Sequence, residues 1–312
     1  MKNIFSLIFL LFVSAFLIAQ DENSSLQIRG NFETSLQSYF IDSSIGAIEP
    51  TDERVLNNAY LNLRITKGNF TSGLRYESYL NALKDYDPQY KGNGIPFKFA
   101  TFSADRLEVT VGNYYEQFGS GLVLRTYEDK GLGVDNALDG LRLKYSPFNG
   151  LYLTSLIGKS RTYFDYSDGI IRGADAEIIL NDIKGLENSK MYSILGVSFV
   201  SRFQSDNNPS FVLPENVAAF AYRANFTYEN INYYAEYAHK INDPVGSMVQ
   251  SENNYANGKA IVNNISYSQK GLGVTFESHF VDHMEFRSAR AKKKEYIINY
   301  IPTLSKQHTY TL

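Results

Sequence analysis

Residues 218 to 229 read Ala218-Ala219-Phe220-Ala221-Tyr222-Arg223-Ala224-Asn225-Phe226-Thr227-Tyr228-Glu229. Taken two apart, they sort into two sets. Ala218, Phe220, Tyr222, Ala224, Phe226 and Tyr228 form one, and Ala219, Ala221, Arg223, Asn225, Thr227 and Glu229 the other. Successive side chains of a strand leave opposite faces of the sheet, so this period puts aromatic bulk on one face and small, polar or charged groups on the other. A helix would need apolar positions three and four apart, and this stretch does not supply them.

The same rhythm recurs outward from this segment. In 26–40, Leu26, Ile28, Phe32, Leu36 and Phe40 alternate with Gln27, Arg29, Glu33 and Gln37, and in 272–280 Leu272, Val274, Phe276 and Phe280 oppose Gly273, Thr275, Glu277 and His279. Shorter alternations surround Leu61-Leu63-Ile65, Leu107-Val109-Val111, Leu141-Leu143-Tyr145, Leu195-Val197-Phe199 and Ile261-Ile265-Tyr267. No segment of comparable length keeps a helical stripe, so the chain is expected to be all-β. Short connections such as Lys67-Gly68-Asn69, Glu229-Asn230 and Lys270-Gly271 suit tight antiparallel turns. Long polar ones (41–54, 83–96, 204–215 and 242–259) separate other strands. Tight turns at one end and long loops at the other are the habit of membrane barrels, and roughly 14 to 16 strands of spanning length fit the chain.

Composition narrows the class. The 312 residues are 44% hydrophobic and 20% charged, with a formal net charge of −3. No basic excess steers nucleic acid, and no nucleic-acid partner is expected. Mean hydropathy of −0.28 excludes a polytopic helical membrane protein. With no Cys, disulfides, thiol catalysis, Cys-bound metals and a lipid-modified N-terminal Cys are all excluded. Met1-Lys2-Asn3, the apolar run Ile4 to Ala19 and then Gln20-Asp21-Glu22 have the order of a secretory signal peptide. Residues 1–19 are therefore expected to be removed. No linker or composition shift divides residues 20–312, which are expected to form one domain.

Alternation alone also suits a soluble sandwich, where the apolar faces pack between two sheets. Three features favour a transmembrane antiparallel barrel. The segments 26–40, 190–203 and 217–229 exceed ordinary soluble strands in length. Aromatics gather near strand ends (Tyr39-Phe40, Tyr114-Tyr115, Tyr163-Phe164, Tyr233-Tyr234), as in an interfacial girdle. Charges of both signs stand in mid-strand, where an enclosed polar interior would hydrate them. Arg29, Glu33, Arg75, Glu77, Arg142, Lys144, Arg223, Glu236, Glu277 and His279 are accordingly expected to face a lumen. Because hydrocarbon offers backbone amides no partner, a sheet spans a bilayer only by closing on itself.

The stretch Asn113-Tyr-Tyr-Glu-Gln-Phe-Gly-Ser-Gly-Leu-Val-Leu-Arg-Thr-Tyr-Glu-Asp-Lys-Gly-Leu-Gly-Val-Asp-Asn-Ala-Leu-Asp-Gly-Leu-Arg142 and the ending Ile298-Asn-Tyr-Ile-Pro-Thr-Leu-Ser-Lys-Gln-His-Thr-Tyr310 resemble an uncharacterised family of large outer-membrane β-barrels from Bacteroidota. The resemblance runs over most of the chain after the signal. It implies an outer-membrane location in a Gram-negative cell and supplies no activity. Members of that family are longer, so this chain is expected to be an incomplete copy that stops inside a strand.

Candidate chemistry is sparse. His279, Asp282, His283 and Glu285 are the densest metal-capable group, and if the strand continued, Glu277, His279, His283 and Glu285 would share one face. Polar interior and loop positions explain them better, and neither a metal nor a cofactor is expected. Arg287, Arg290, Lys292, Lys293 and Lys294 form a basic run that would meet lipopolysaccharide phosphates or lie solvated in a loop. Gly119-Ser120-Gly121 lacks the Gly-Lys-Ser/Thr of a nucleotide loop, and a close backbone approach or an inward-folded loop is its expected use. No nucleophile elbow is present, so no enzyme is expected. The expected function is passage or binding of small solutes. The alternative is a non-conducting scaffold for outer-membrane assembly or secretion, with another outer-membrane protein as partner. Outer-membrane lipid and lipopolysaccharide would surround either, and a soluble secreted binding protein is the remaining reading.

Overall fold

A computed structural model describes residues 25–302 except 39, 41, 47–54, 85, 207–212, 244–255 and 292–293. The expected signal peptide, Tyr39 of the aromatic girdle and the stretch from 303 to the end lie outside the described residues. The chain groups into two compact units, Met1–Asn113 and Tyr114–Leu312, each taken by itself below.

The first unit is an antiparallel meander of five strands: β1 (Gln27–Ser38), β2 (Val55–Lys67), β3 (Phe70–Leu80), β4 (Gly92–Ala104) and β5 (Leu107–Tyr114). Gly68 (φ 53°) makes the β2–β3 turn in the left-handed region that glycine enters without strain. On β2 the buried residues Leu56, Asn58 and Tyr60 alternate with more exposed neighbours, and on β3 Arg75, Glu77 and Tyr79 are buried while Tyr76 and Leu80 are exposed. Over Tyr79 and Asn58 the unit's own β3–β4 connection supplies cover. Its Tyr86 and Tyr90 pack on Tyr79 with ring centroids 5.7 and 5.0 Å away, and the Leu83 amide donates to Asn58 Oδ1 at 3.2 Å.

The second unit carries a two-residue pair, β6 (Glu128–Asp129) with β7 (Val134–Asp135), and eight longer strands. These are β8 (Leu138–Tyr145), β9 (Leu151–Thr162), β10 (Asp165–Ile179), β11 (Met191–Phe203), β12 (Asn216–Tyr228), β13 (Ile231–Asp243), β14 (Ala256–Gln269) and β15 (Leu272–Asp282). Each of the eight pairs antiparallel with the next. Glu229 (φ 49°) and Gly271 (φ 83°) adopt the left-handed conformation in the two tight turns read from the sequence. The described residues thus hold fifteen strands, all antiparallel, and no helix longer than one 3-10 turn.

The register shows what the alternation does. Val197, Tyr222, Tyr237, Ile261 and Phe280 stand opposite one another across β11 to β15, and they are 50, 49, 42, 39 and 50% exposed. One residue along, Ser198, Ala221, Ala238 and Ala260 form the next row, all buried. Phe220 and Tyr222 therefore lie on the outer face and are not packed between two stacked sheets within this unit. Leaving side chains such as Phe276 and Phe280 in water would forgo roughly 1.5–3 kcal/mol each, which a lipid environment restores. Not every aromatic follows the expected girdle. Tyr114 is buried, its hydroxyl donating to the Leu141 and Ile157 carbonyls, and Tyr234 turns inward to Glu236.

Candidate functional site in the covered interior of the second unit

Two irregular segments fill the inner face of β8–β15. The first, 115–127, carries Phe118, Leu122, Val123 and Leu124 at no more than 1% exposure, and the second, the described residues of 284–300, carries Met284, Phe286 and Ile298. Both pack on Leu138, Leu156, Ile171, Val200 and the alanines Ala219, Ala221, Ala238 and Ala260 in one apolar cluster. Small residues on β12–β14 leave the space these segments occupy, which is why the inner set read from 218–229 begins with two alanines. The segments also bind each other. Arg125 N donates to Ile298 O (2.7 Å), Tyr300 N to Gly121 O (2.8 Å), and Arg125 lies between the Tyr127 and Tyr300 rings. Asn299 joins three strands of chain: its Oδ1 accepts from Phe286 N at 2.8 Å, and its Nδ2 donates to Leu122 O at 2.8 Å and Met284 O at 2.9 Å. Gly119-Ser120-Gly121 is thus an inward-folded loop.

Charged groups surround this apolar plug in three clusters. In the first, Arg223 on β12 donates to both oxygens of Asp175 (2.8 and 2.9 Å) and to Glu177 Oε2 (2.9 Å), with Ser198 Oγ donating to Asp175 at 2.6 Å. Glu236 stands opposite Arg223 across β12–β13 and is 1% exposed. Its Oε2 accepts from Ser120 N at 2.8 Å and from the Tyr234 hydroxyl. Its Oε1 has no hydrogen-bond partner among the described residues. A carboxylate approaches so closely only because Gly119 has no Cβ, which would fall 2.8 Å from Oε1. Gly196 does the same for the guanidinium, since a Cβ there would lie 2.4 Å from Arg223 Cζ. A cavity of about 280 Å³ opens between the Gly119–Ser120 turn and Glu177, Arg223, Asn225 and Tyr234.

In the second cluster, Asp243 accepts from Lys240 Nζ (2.7 Å) and Arg202 (3.2 Å), and both cations also donate to carbonyls of the 285–289 stretch. In the third, Glu116 pairs with Arg142 (3.2 Å) and Lys144 (2.9 Å), near a buried Arg161–Asp135 pair at 2.5 Å.

The ten residues expected to face a lumen fall into different settings. Arg223 and Glu236 share the first cluster, and Arg142 and Lys144 share Glu116. In the first unit Arg75 and Glu77 pair at 2.6 Å beneath Phe97 and Tyr79. Glu277 accepts from Asn264 at 2.9 Å, and His279 is half-buried on the same strand. Arg29 and Glu33 lie on β1, every residue of which is exposed.

Two expectations need correction. The strand does not continue past Asp282: His283 adopts φ 46° and turns the chain, so Glu277, His279, His283 and Glu285 share no continuous face. Among the described residues no three His, Asp or Glu side chains converge as a metal site would require. Arg287 and Arg290 of the basic run are not solvated loop residues either. Arg287 is buried and pairs with Glu285, and Arg290 donates to the Gln204, Ser205 and Pro214 carbonyls. Lys292 and Lys293 lie outside the described residues.

Sequence reading missed Asp175, Arg202, Lys240, Asp243 and Glu116. Asp175, Arg202 and Lys240 carried a usable signal, for they occupy inward positions of their strands, Asp175 two residues before Glu177, whereas Asp243 turns inward only after the register shift at the end of β13. Glu116 sits in an aperiodic segment and carried none.

An all-antiparallel meander with an apolar outer face and an ionic, plugged inner face defines a barrel-type β protein. The chain belongs to a family of unknown function (DUF6029), whose pattern it matches over residues 1–312. Solved structures similar to it include a BenF-like porin from Pseudomonas fluorescens Pf-5, at 12% identity and TM-score 0.40, covering 83% of this chain and 82% of that one. OccK1 (OpdK) of Pseudomonas aeruginosa follows at 10% identity and TM-score 0.38, covering 79% and 78%. The outer membrane channel DcaP of Acinetobacter baumannii matches at 12% identity and TM-score 0.35, covering 84% and 80%. No curated protein matches the chain.

Proposed function

We propose that the chain is an outer-membrane β-barrel, exported through a signal peptide cut after Ala19, whose polar interior admits or binds small solutes. The observation that carries this reading is the contrast between adjacent rows of β11–β15. The outer row Val197, Tyr222, Tyr237, Ile261 and Phe280 suits lipid and the acyl chains of lipopolysaccharide, and the inner face holds Arg223, Glu236, Arg202 and Lys240. Arg223, Arg202 and Lys240 would each cost about 2–4 kcal/mol on the lipid side at mid-bilayer, which supports this assignment of the faces. In this reading Arg29, Glu33, Arg75, Glu77, Arg142, Lys144, Arg223, Glu236, Glu277 and His279 line the interior of a single domain from residue 20 onward.

The test is fractionation followed by planar-bilayer recording. The protein is expected to stay with the outer membrane after carbonate washing and to give solute-sensitive conductance steps. Release into the wash, or a silent bilayer together with no solute uptake into liposomes, removes the reading. The plug of 115–127 and 284–300 favours a second reading, a non-conducting barrel that serves as a scaffold in outer-membrane assembly or secretion. A silent bilayer with a stable outer-membrane protein partner after detergent extraction would favour that one.

A further inference from the structure

We propose that the outer wall of the second unit carries a lipid A site, in which a groove across β8–β12 seats an acyl chain and Arg172 holds a phosphate of the same molecule. The inference rests on the reading of the chain as an outer-membrane barrel, and it names one lipid and its place on the wall.

Shape comes first. The register lays Leu143, Ser155, Ala174, Phe199 and Phe220 in one outward row across β8 to β12, and Tyr145, Leu153, Ala176, Val197 and Tyr222 in the next. Both rows fall to an alanine on β10 and rise on either side to large apolar residues. Ala174 and Ala176 thus floor a groove of about 600 Å³ that runs along β10 between these walls. A chain lying in it touches floor and both walls at once, and dispersion sums over all those contacts. Alkyl and aromatic carbon lines the groove, so hydrocarbon is the occupant that fits.

The second observation is independent of shape. One row further towards the β9–β10 turn stand Leu141, Ile157, Arg172, Ser201 and Ala218, and Arg172 is the only charge among them. It is exposed and heads the groove, about 6.6 Å along the strand from Ala174. Its guanidinium lies 5.2 Å from the centroid of the Phe203 ring, a contact that uses none of its N–H donors, and no carboxylate among the described residues pairs with it. Lys159, diagonal to it across β9–β10, is also exposed, and Asp139 stands opposite that lysine on β8 without an ion pair between them. An outward arginine is costly at mid-bilayer and nearly free at the interface, so Arg172 marks the depth of the headgroups. A phosphate there meets a planar fork of donors that binds it bidentately.

The leaflet decides between lipids. The twelve-residue connections 204–215 and 244–255 leave the end of the wall nearest Arg172, whereas the far end, 180–190 apart, carries turns of two to five residues. Membrane barrels turn their longer loops outward, so Arg172 belongs to the outer leaflet, where the phosphorylated lipid is lipopolysaccharide. The basic run from Arg287 offers no rival site, because Arg287 pairs with Glu285 and Arg290 with the Gln204 carbonyl.

Native mass spectrometry of the detergent-folded chain tests this, with lipid A, dephosphorylated lipid A and phosphatidylethanolamine as probes and heat-modifiable migration as the check on folding. The expected result is a single lipid A retained by each chain, with both other lipids retained about tenfold less. Lipid A retention is expected to fall by about the same factor in Arg172→Gln and in Ala174→Phe, which fills the groove. Equal retention of phosphatidylethanolamine or of dephosphorylated lipid A overturns the proposal, as does unchanged retention of lipid A in either variant. A lipid-free dimer overturns it too, since a second copy would then cover the groove. Should Ala174→Phe fail to fold, Arg172→Gln decides alone, because it changes only an exposed side chain. A wild-type chain without heat-modifiable migration removes the barrel reading and this inference with it, whereas a folded chain that retains no lipid A removes this inference alone.

Discussion

Arg223 depends on a residue that offers it nothing but room. Its guanidinium lies over Gly196 on the neighbouring strand and reaches Asp175 and Glu177 on the strand beyond. Gly196 sits in ordinary strand backbone, so a methyl group there is not strained in itself. It is expected to push the guanidinium off its carboxylates and leave part of a buried ion pair uncompensated. Gly196→Ala should therefore lower stability by about 1–3 kcal/mol, read as a fall in the urea midpoint at unchanged slope. Arg223→Met should cost more than Gly196→Ala, because it leaves the carboxylates of Asp175 and Glu177 without their cation. This dependence was half legible. The alternation assigned Arg223 to the polar face, but nothing in the sequence linked it to Gly196, since that pairing depends on the β11–β12 register.

At the scale of elements, strands and plug were unequally readable. The strand segments 26–40, 190–203 and 217–229 became Gln27–Ser38, Met191–Phe203 and Asn216–Tyr228, because period-two patterning and turn residues specify them locally. The segments 115–127 and 284–300 have no period, and besides bonds within each they are tied to the other, far along the chain, by Arg125 N to Ile298 O and Tyr300 N to Gly121 O. Local rules have no purchase on such a pairing. Asn299 is the clasp between them, with one acceptor and two donor contacts in a buried setting. Asn299→Ala strands the Phe286 amide and two carbonyls, at about 1–3 kcal/mol for each group left unsatisfied. The plug is expected to loosen while the strands persist. Limited proteolysis should then cut within 115–127 or 284–300 in the variant and spare the wild type, with the far-ultraviolet strand signal unchanged.

At the scale of the whole molecule the question is what the exposed apolar rows face. Fold class was legible from period, length and the missing cysteines, whereas the filling of the interior was legible only at the glycines of Gly119-Ser120-Gly121, since composition does not record where the rest of a loop folds. Tyr222→Arg separates the environments cleanly. Facing lipid near mid-membrane, the arginine is expected to cost about 2–4 kcal/mol and to reduce assembly into the outer membrane. Facing water, it would improve solubility and leave folding intact. The measurement is the heat-modifiable fraction of each variant in membranes, with Arg223→Tyr as the reciprocal change on the opposite face.

The clasp has a temporal side. Glu236 receives its amide from Ser120, 116 positions earlier, and Asn299 reaches Leu122, 177 positions back. Contacts of such separation form late, because long loops of chain must close before they are rewarded. A nascent chain halted before Asn299 would have made every strand from β8 to β15 and still carry Phe118 and Leu122 without their roof. The barrel wall can thus be laid down first and furnished afterwards, so an assembly factor that holds such intermediates would act on an empty shell.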